Sequence, residues 1–239
     1  MKKTKSVLPH ITTRKEWLKQ RKKLLEKEKE VTRSLDKVRA ERRRLPGVKI
    51  EKGYTFEGPE GQVTLPDLFE GRRQLLLHHF MWFEESDTFC PGCSLEADQN
   101  YNAPFFAELY RRDVSFVAIC RAPIIRIGEE KKRKGWNFPF YSSGESDFNY
   151  DFQATIDRNR NTEYNYQADT DWLNGYEGDV AGKSVFLKDR DAVYHTYSAY
   201  ARGTDLLGTH YNYLDLTPYG RQEAWEDSPD GWPQKPTYE

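Results

Sequence analysis

Arg73-Gln74-Leu75-Leu76-Leu77-His78-His79-Phe80-Met81 leads through the loop Phe83 to Phe89 into Cys90-Pro91-Gly92-Cys93, and this stretch decides the fold. The leucine run is apolar without interruption and too short for a typical helix, which predicts a strand buried on both faces. After Cys93 the spacing of Leu95, Ala97, Phe105, Phe106, Leu109 and Tyr110 suits a helix to about Arg112, kinked or restarted at Pro104. Val114-Ser115-Phe116-Val117-Ala118-Ile119-Cys120 predicts a second buried strand. A helix between two buried strands implies parallel pairing through a right-handed crossover.

Downstream, Pro123 opens a basic amphipathic helix from Ile124 to Lys134 that stops at Gly135, and Phe138 to Tyr141 is a short extended piece. About Asp147 to Gly182 is rich in Asn, Asp, Tyr and Gln with no sustained period, and reads as a long surface insertion. Ser184 to Lys188, the turn Asp189-Arg190-Asp191 and Val193 to Ser198 make a late hairpin, followed by a helix from Tyr200 to about Tyr213. Upstream, Tyr54 to Phe56 and Val63 to Leu65 flank Gly58-Pro59-Glu60-Gly61 as a small hairpin before a helical turn at Pro66 to Phe69. The order of elements is that of an α/β, thioredoxin-like three-layer fold with a mixed central sheet. The expected organisation is a charged helical arm at 1–50, the main domain at 51–220 with its insertion at about 147–182, and an irregular tail at 221–239.

The arm accounts for the composition. Of 239 residues, 37% are hydrophobic and 31% charged, so part of the chain must sit outside any core. Thr13 followed by Glu16 is a capping-box pattern, and no Gly or Pro interrupts the helix formers from Arg14 to about Arg44. Trp17, Leu24, Val31 and Val38 recur every seven residues, with Leu18, Leu25 and Leu35 beside them. Such a stripe calls for a partner surface, either the chain's own domain or a second copy in a homodimer. A net charge of −1 and the acids interspersed along the arm point away from a nucleic-acid partner. The basic N-terminus is followed by no apolar run, and no stretch approaches the roughly 18 apolar residues of a membrane span, so a cytoplasmic protein with no membrane partner is expected.

Three cysteines do not make a disulfide scaffold, and the close pair is where chemistry is expected. At the N-terminus of a helix, Cys90 meets unpaired backbone N–H groups and the positive end of the helix dipole, which favour thiolate. Pro91 suits the first turn because its missing N–H has no intrahelical partner there, and Gly92 completes the spacing. Cys93, one turn in, is placed to attack a mixed disulfide on Cys90 and release reduced substrate, without a cofactor. A zinc site would need two further ligands from His78, His79, His195 and His210, yet no second cysteine pair and no His pair at helical spacing accompanies them, so no metal is assigned. His78 and His79 are adjacent on a strand and point to opposite faces.

Cys120 reads as a small buried hydrophobe. Arg121, where its strand ends, either holds an anionic group or the Cys90 thiolate, or pairs with Asp98 or Asp147. Asp98 either accepts the proton of the resolving thiol or is a solvated helix-surface carboxylate. Tyr197, Tyr200 and Arg202, after the late hairpin, border the same cleft or simply pack, and Ser184 is expected to support that cleft as well.

His79-Phe80-Met81, Cys90-Pro91-Gly92-Cys93-Ser94 with Asp98, Arg121-Ala122-Pro123, Ser146 to Phe152, Ser184-Val185-Phe186, His195 to Ser198 with Tyr200-Ala201-Arg202-Gly203, and Leu214 to Pro218 together resemble the thioredoxin-like family known as domain of unknown function 899. The resemblance implies a dithiol–disulfide oxidoreductase using Cys90 and Cys93, with a protein or small-molecule disulfide as substrate and a separate reductant. Thioredoxins place a cis-proline before the strand that faces the disulfide; here Gly182-Lys183-Ser184 stands in that place, and position 120 is Cys where Ser is common in the family. Two alternatives stay open. One is a peroxiredoxin-like peroxidase, suggested by the entry hairpin but opposed by Asp87 where peroxiredoxins keep Thr or Ser. The other is a non-enzymatic interaction protein working through the arm.

Overall fold

In the computed structural model the residues described are 7–168 and 175–236; the parts of the expected arm at 1–6, of the insertion at 169–174 and of the tail at 237–239 lie outside the described residues. In chain order the elements are α1 (Arg14–Arg42), β1 (Val48–Lys49), β2 (Thr55–Gly58), β3 (Gly61–Thr64), β4 (Gln74–His79), β5 (Trp82–Phe83), β6 (Thr88–Phe89), α2 (Pro91–Asn100), α3 (Ala103–Tyr110), β7 (Val114–Cys120), α4 (Ile124–Lys134), β8 (Phe140–Ser142), α5 (Phe148–Asp151), β9 (Thr155–Ile156), β10 (Gly178–Asp179), β11 (Gly182–Asp189), β12 (Ala192–Tyr200) and α6 (Thr209–Leu214). They fall into two compact units, Met1–Leu45 with His210–Glu239, and Pro46–Thr209.

In the first unit Thr13 caps α1, its hydroxyl accepting the Glu16 N–H at 3.3 Å. The heptad residues Trp17, Leu24, Val31 and Val38 are all exposed. No helix among the described residues is long and apolar enough to cross a membrane.

The second unit is built on a sheet in the order β1-β12-β11-β4-β7-β8-β2-β3. The central β4 pairs parallel with β7, Leu76 opposite Phe116, and antiparallel with β11, Lys183 opposite His78. The order β12-β11-β4-β7, with a helical crossover between β4 and β7 and a hairpin joining β11 to β12, is the thioredoxin-like arrangement. Leu75, Leu77, Val117, Ile119 and Phe186 fill one face, whereas Phe80, Phe116, Ala118 and Cys120 pack under Cys93, Ala97 and Ile127 on the other. Each strand residue commits to one face because side chains alternate along the pleat.

Pro104 does restart the helix: α2 ends at Asn100, and Asn102 caps α3 by accepting the Phe105 N–H at 3.1 Å. The expected last helix is instead a 3-10 stretch, Ala201–Leu207, separated by Gly208 from α6. The segment read as a surface insertion contributes to the core. Phe148 and Phe152, one helical turn apart in sequence, pack with tilted rings 4.5 Å apart and bury against Phe186, while Ala154, Ile156 and Tyr164 are also buried.

Candidate redox site

Cys90 is the N-cap of α2, with extended backbone, and Pro91 is the first helical residue. The Cys90 N–H donates to Met81 O at 3.1 Å, which ties the helix start to the link between β4 and β5, and the Cys90 carbonyl accepts the Ser94 N–H at 2.9 Å. Cys90 is half-buried and Cys93 buried, both as free thiols. The Cys93 thiol as donor to the Cys90 sulfur, helped by the N–H groups of Cys93 and Gly92, pulls the Cys90 pKa down to about 6 against the opposing effect of burial. Cys93 moves the other way, because its proton is engaged by Cys90, because it is buried and because a Cys90 thiolate repels its own ionisation. The Met81 N–H and the Lys183 ammonium partly counter that rise.

Beneath Cys93 lies a buried polar cluster. Lys183 Nζ is 2.9 Å from Glu96 Oε2, with the two side chains 7% and 19% exposed. Tyr101 Oη donates to Glu96 Oε1 at 2.9 Å and lies 2.7 Å from His78 Nδ1. Tyr101 has one proton, and donating it to Glu96 obliges His78 Nδ1–H to donate to the Tyr101 oxygen. His78 Nε2 is then the bare nitrogen, and it has no partner among the described residues. Burial holds His78 neutral by lowering its pKa.

Two grooves lie near this end of the sheet, neither of them lined by Cys90 itself. One, of 870 Å³, is lined by Phe83, Phe89, Pro91, Ser94, Leu95 and Arg126 among others. The second, of 740 Å³, includes Trp82, Glu84, Arg121, Tyr150, Tyr176 and Asp179.

The profile of a bacterial protein family of unknown function, DUF899, matches residues 6–238. The chain belongs to that family. No curated protein matches the DUF899 chain at a significant level. Among solved structures it is similar to peroxidoxin BcpB from Mycobacterium tuberculosis, at 13% identity and a TM-score of 0.49, over 68% of this chain and 93% of the other. A mutant of peroxiredoxin Q from Xanthomonas campestris aligns at 13% identity and a TM-score of 0.44, over 66% and 90%. A hypothetical protein from Sinorhizobium meliloti 1021 aligns at 16% identity and a TM-score of 0.33, over 63% and 73%.

The DUF899 site keeps Cys90, Pro91, Gly92 and Cys93 together at the head of α2 and distributes the other candidates differently. Asp98 accepts from Lys134 Nζ at 2.8 Å and Trp136 Nε1 at 2.7 Å. It stands about 140° round the helix from Cys93, so it is not the carboxylate beside that thiol; Glu96, about 60° away, is nearer that face. Arg121 faces Asp179 at 3.9 Å rather than Asp98 or Asp147, and its guanidinium lies 5.4 Å from the Tyr150 ring.

Ser184 is a correction of face. It is fully buried and bonded to His79 Nε2 and Ser198 Oγ, both at 2.7 Å, on the side of the sheet away from α2. Its neighbour Lys183 takes the cysteine side. Tyr197 is opposite Val185 and shares that side, half-buried, while Arg202 lies in the 3-10 stretch beside Asp205 at 3.2 Å. Asp87 is bound to Arg126 at 2.7 Å and to Trp82 Nε1 at 3.2 Å. Lys183 and Glu96 were not among the sequence candidates. The available signal was Glu96 three residues after Cys93 on a helix, and a lysine near the start of the strand that pairs with β4.

Proposed function

We propose that this DUF899 protein is a dithiol–disulfide oxidoreductase that reduces protein or small-molecule disulfides by exchange at Cys90 and Cys93. The Cys90 thiolate attacks one sulfur of the substrate disulfide, forming a Cys90–substrate bond and releasing the other sulfur as a thiolate that takes a proton from water. Cys93, deprotonated, then attacks Cys90 and frees the second substrate sulfur. The substrate gains two electrons, and the Cys90–Cys93 pair loses them. A cellular thiol reductant restores the pair by the same exchange in reverse, as suits a reducing cytoplasm.

The observation that carries this reading is the pairing of a half-buried sulfur of low pKa at a helix N-cap with a buried thiol one turn behind it. The test is to equilibrate the protein in graded mixtures of reduced and oxidised dithiothreitol and map disulfides by mass spectrometry. The reading expects a reversible Cys90–Cys93 disulfide, and a mixed disulfide confined to Cys90 when Cys93→Ser meets oxidised glutathione. A pair that stays reduced even in fully oxidised dithiothreitol would overturn it.

A further inference from the structure

The 740 Å³ groove beside β10 holds a cation whose hydrogen-bond donors the protein leaves unused. The Arg121 side chain is only 24% exposed, yet its Nε has no hydrogen-bond partner among the described residues, and its ion pair with Asp179 spans 3.9 Å, beyond hydrogen-bond reach. Asp179 is engaged elsewhere, since Thr155 Oγ1 donates to one carboxylate oxygen at 2.7 Å and the Trp82 N–H to the other at 3.3 Å. A guanidinium presents two parallel N–H groups that match a carboxylate, and such a pair is stronger in a partly closed site than in bulk water. The rest of the wall is aromatic and acidic. Trp82 and Tyr150 line it, the Arg121 guanidinium lying 5.4 Å from the Tyr150 ring, and Glu84, Glu85, Asp157 and Glu177 border them. The other cations nearby are paired, Arg158 with Glu177 and Arg160 with Asp147. Such a wall repels a polyanion, whereas a ligand that carries one ammonium beside its carboxylate matches both signs.

We propose that this groove seats one half of an amino-acid disulfide of the cystine type, with Arg121 binding its carboxylate and Glu84 and Glu85 attracting its ammonium group. The inference rests on the exchange reading and narrows the substrate to a small molecule.

Two contacts join the groove to the reactive sulfur. Trp82 on its wall follows Met81, whose carbonyl accepts the Cys90 N–H at 3.1 Å. Tyr176, also on the wall, has its pKa raised by burial, by Asp179 and by Cys90, in that order, so it stands within the field of the sulfur. The backbone beside the pair is closed to a protein chain. Ala181 packs in the cluster that holds Cys90 and Cys93, but its carbonyl accepts the Tyr164 hydroxyl at 2.9 Å, and the neighbouring Val180 N–H donates to Ala154 O at 2.9 Å. An extended protein segment needs such groups free in order to add as a strand, and a small disulfide does not. The exchange balances: Cys90 Sγ bonds to one half of the cystine, the cystine S–S bond breaks, and the other half leaves as a thiolate that takes a proton from water. Cys93 then displaces the bound half, its own proton ending on that second cysteine, and the Cys90–Cys93 disulfide remains.

The test mixes the reduced protein with excess disulfide, quenches in acid and reads formation of the Cys90–Cys93 disulfide by mass spectrometry. Cystine is compared with cystamine, the same disulfide without its carboxylates, and with dithiodipropionate, the same disulfide without its ammonium groups. In Arg121→Met the ratio of the cystine rate to the cystamine rate is expected to fall by about tenfold or more, the size of a charge-assisted hydrogen bond. In Glu84→Gln/Glu85→Gln the ratio of the dithiodipropionate rate to the cystine rate should rise by about threefold, a smaller effect because exposed charges count for less. Wild type alone gives a second reading: S-methylcysteine, which has no disulfide, should compete with cystine, and its methyl ester should not. An unchanged ratio in either variant, or equal competition by the acid and its ester, would overturn the inference and leave the exchange reading standing. A wild type that forms no Cys90–Cys93 disulfide with any of the three compounds would overturn both.

Discussion

Cys93 sits one helical turn behind Cys90 and donates its thiol to the Cys90 sulfur, so the two side chains titrate in opposite directions. The half-buried sulfur gains a donor that favours its anion, and the buried sulfur keeps its proton. In the proposed exchange this difference, set by position along α2, makes Cys90 the attacking thiol and Cys93 the resolving one.

Replacing Cys93 by Ala removes the strongest influence on Cys90 and leaves the N–H groups of the first turn. A hydrogen bond to a charged group contributes about 1.5–3 kcal/mol, so the Cys90 midpoint should rise by about 1–2 pH units. Thiolate ultraviolet absorbance against pH measures it, and an unmoved midpoint would assign the whole effect to the backbone.

Asp179 is buried, with Thr155 Oγ1 donating at 2.7 Å and the Trp82 N–H at 3.3 Å, yet burial still raises its pKa from 3.8 to about 6. The folded state therefore binds this proton more tightly than the unfolded chain, and stability falls as pH rises from about 4 to about 6, then levels. Asp179→Asn cannot ionise and lacks that fall. Urea unfolding should show the stability difference between wild type and variant changing by about 3 kcal/mol across the window, and parallel curves would contradict it.

Ser184→Ala breaks a buried chain running from His79 through Ser184 and Ser198 to His195 Nε2, the last link 2.8 Å long. Leaving buried polar atoms unpaired should cost about 1–3 kcal/mol in unfolding free energy. Because the chain lies on the far face of the sheet, the Cys90 midpoint should not move; a shift on the order of a pH unit would show that Ser184 acts on the sulfur.

At Gly182 a Cβ would stand 2.5 Å from Cδ1 of Tyr200, a ring fixed by its hydroxyl bond to Phe152 O at 2.7 Å. Gly182→Ala should therefore destabilise by about 1–3 kcal/mol in urea unfolding through overpacking. A stability equal to wild type would mean that the Tyr200 ring yields freely.

The frame of the fold was legible where local chemistry decides it. The leucine run of β4 cannot be amphipathic, Pro104 cannot continue a helix, and Gly135 adopts a φ of 70° that ends α4. The cysteine pair was legible for the same reason, since a strand, a loop and Cys-Pro-Gly-Cys specify a helix start. Non-local choices were not. Arg121 meets Asp179 from a segment far along the chain, and nothing near Arg121 in sequence prefers it to Asp98 or Asp147. Polar residues occur on both faces of β11, so alternation alone did not say that Lys183, not Ser184, turns toward α2. In the 147–182 segment the Asn-rich composition hid an aromatic pair at helical spacing, Phe148 and Phe152, which needs the β11 surface to show its purpose.

The most direct measurement is the rate at which iodoacetamide alkylates Cys90 in the reduced protein as a function of pH, with the modified residue identified by mass spectrometry. The account predicts a half-maximal rate near pH 6 and a plateau above about pH 7.5, the behaviour of a thiolate stabilised at a helix N-terminus. A rate still climbing through about pH 8.5, as for an unperturbed cysteine, would contradict it.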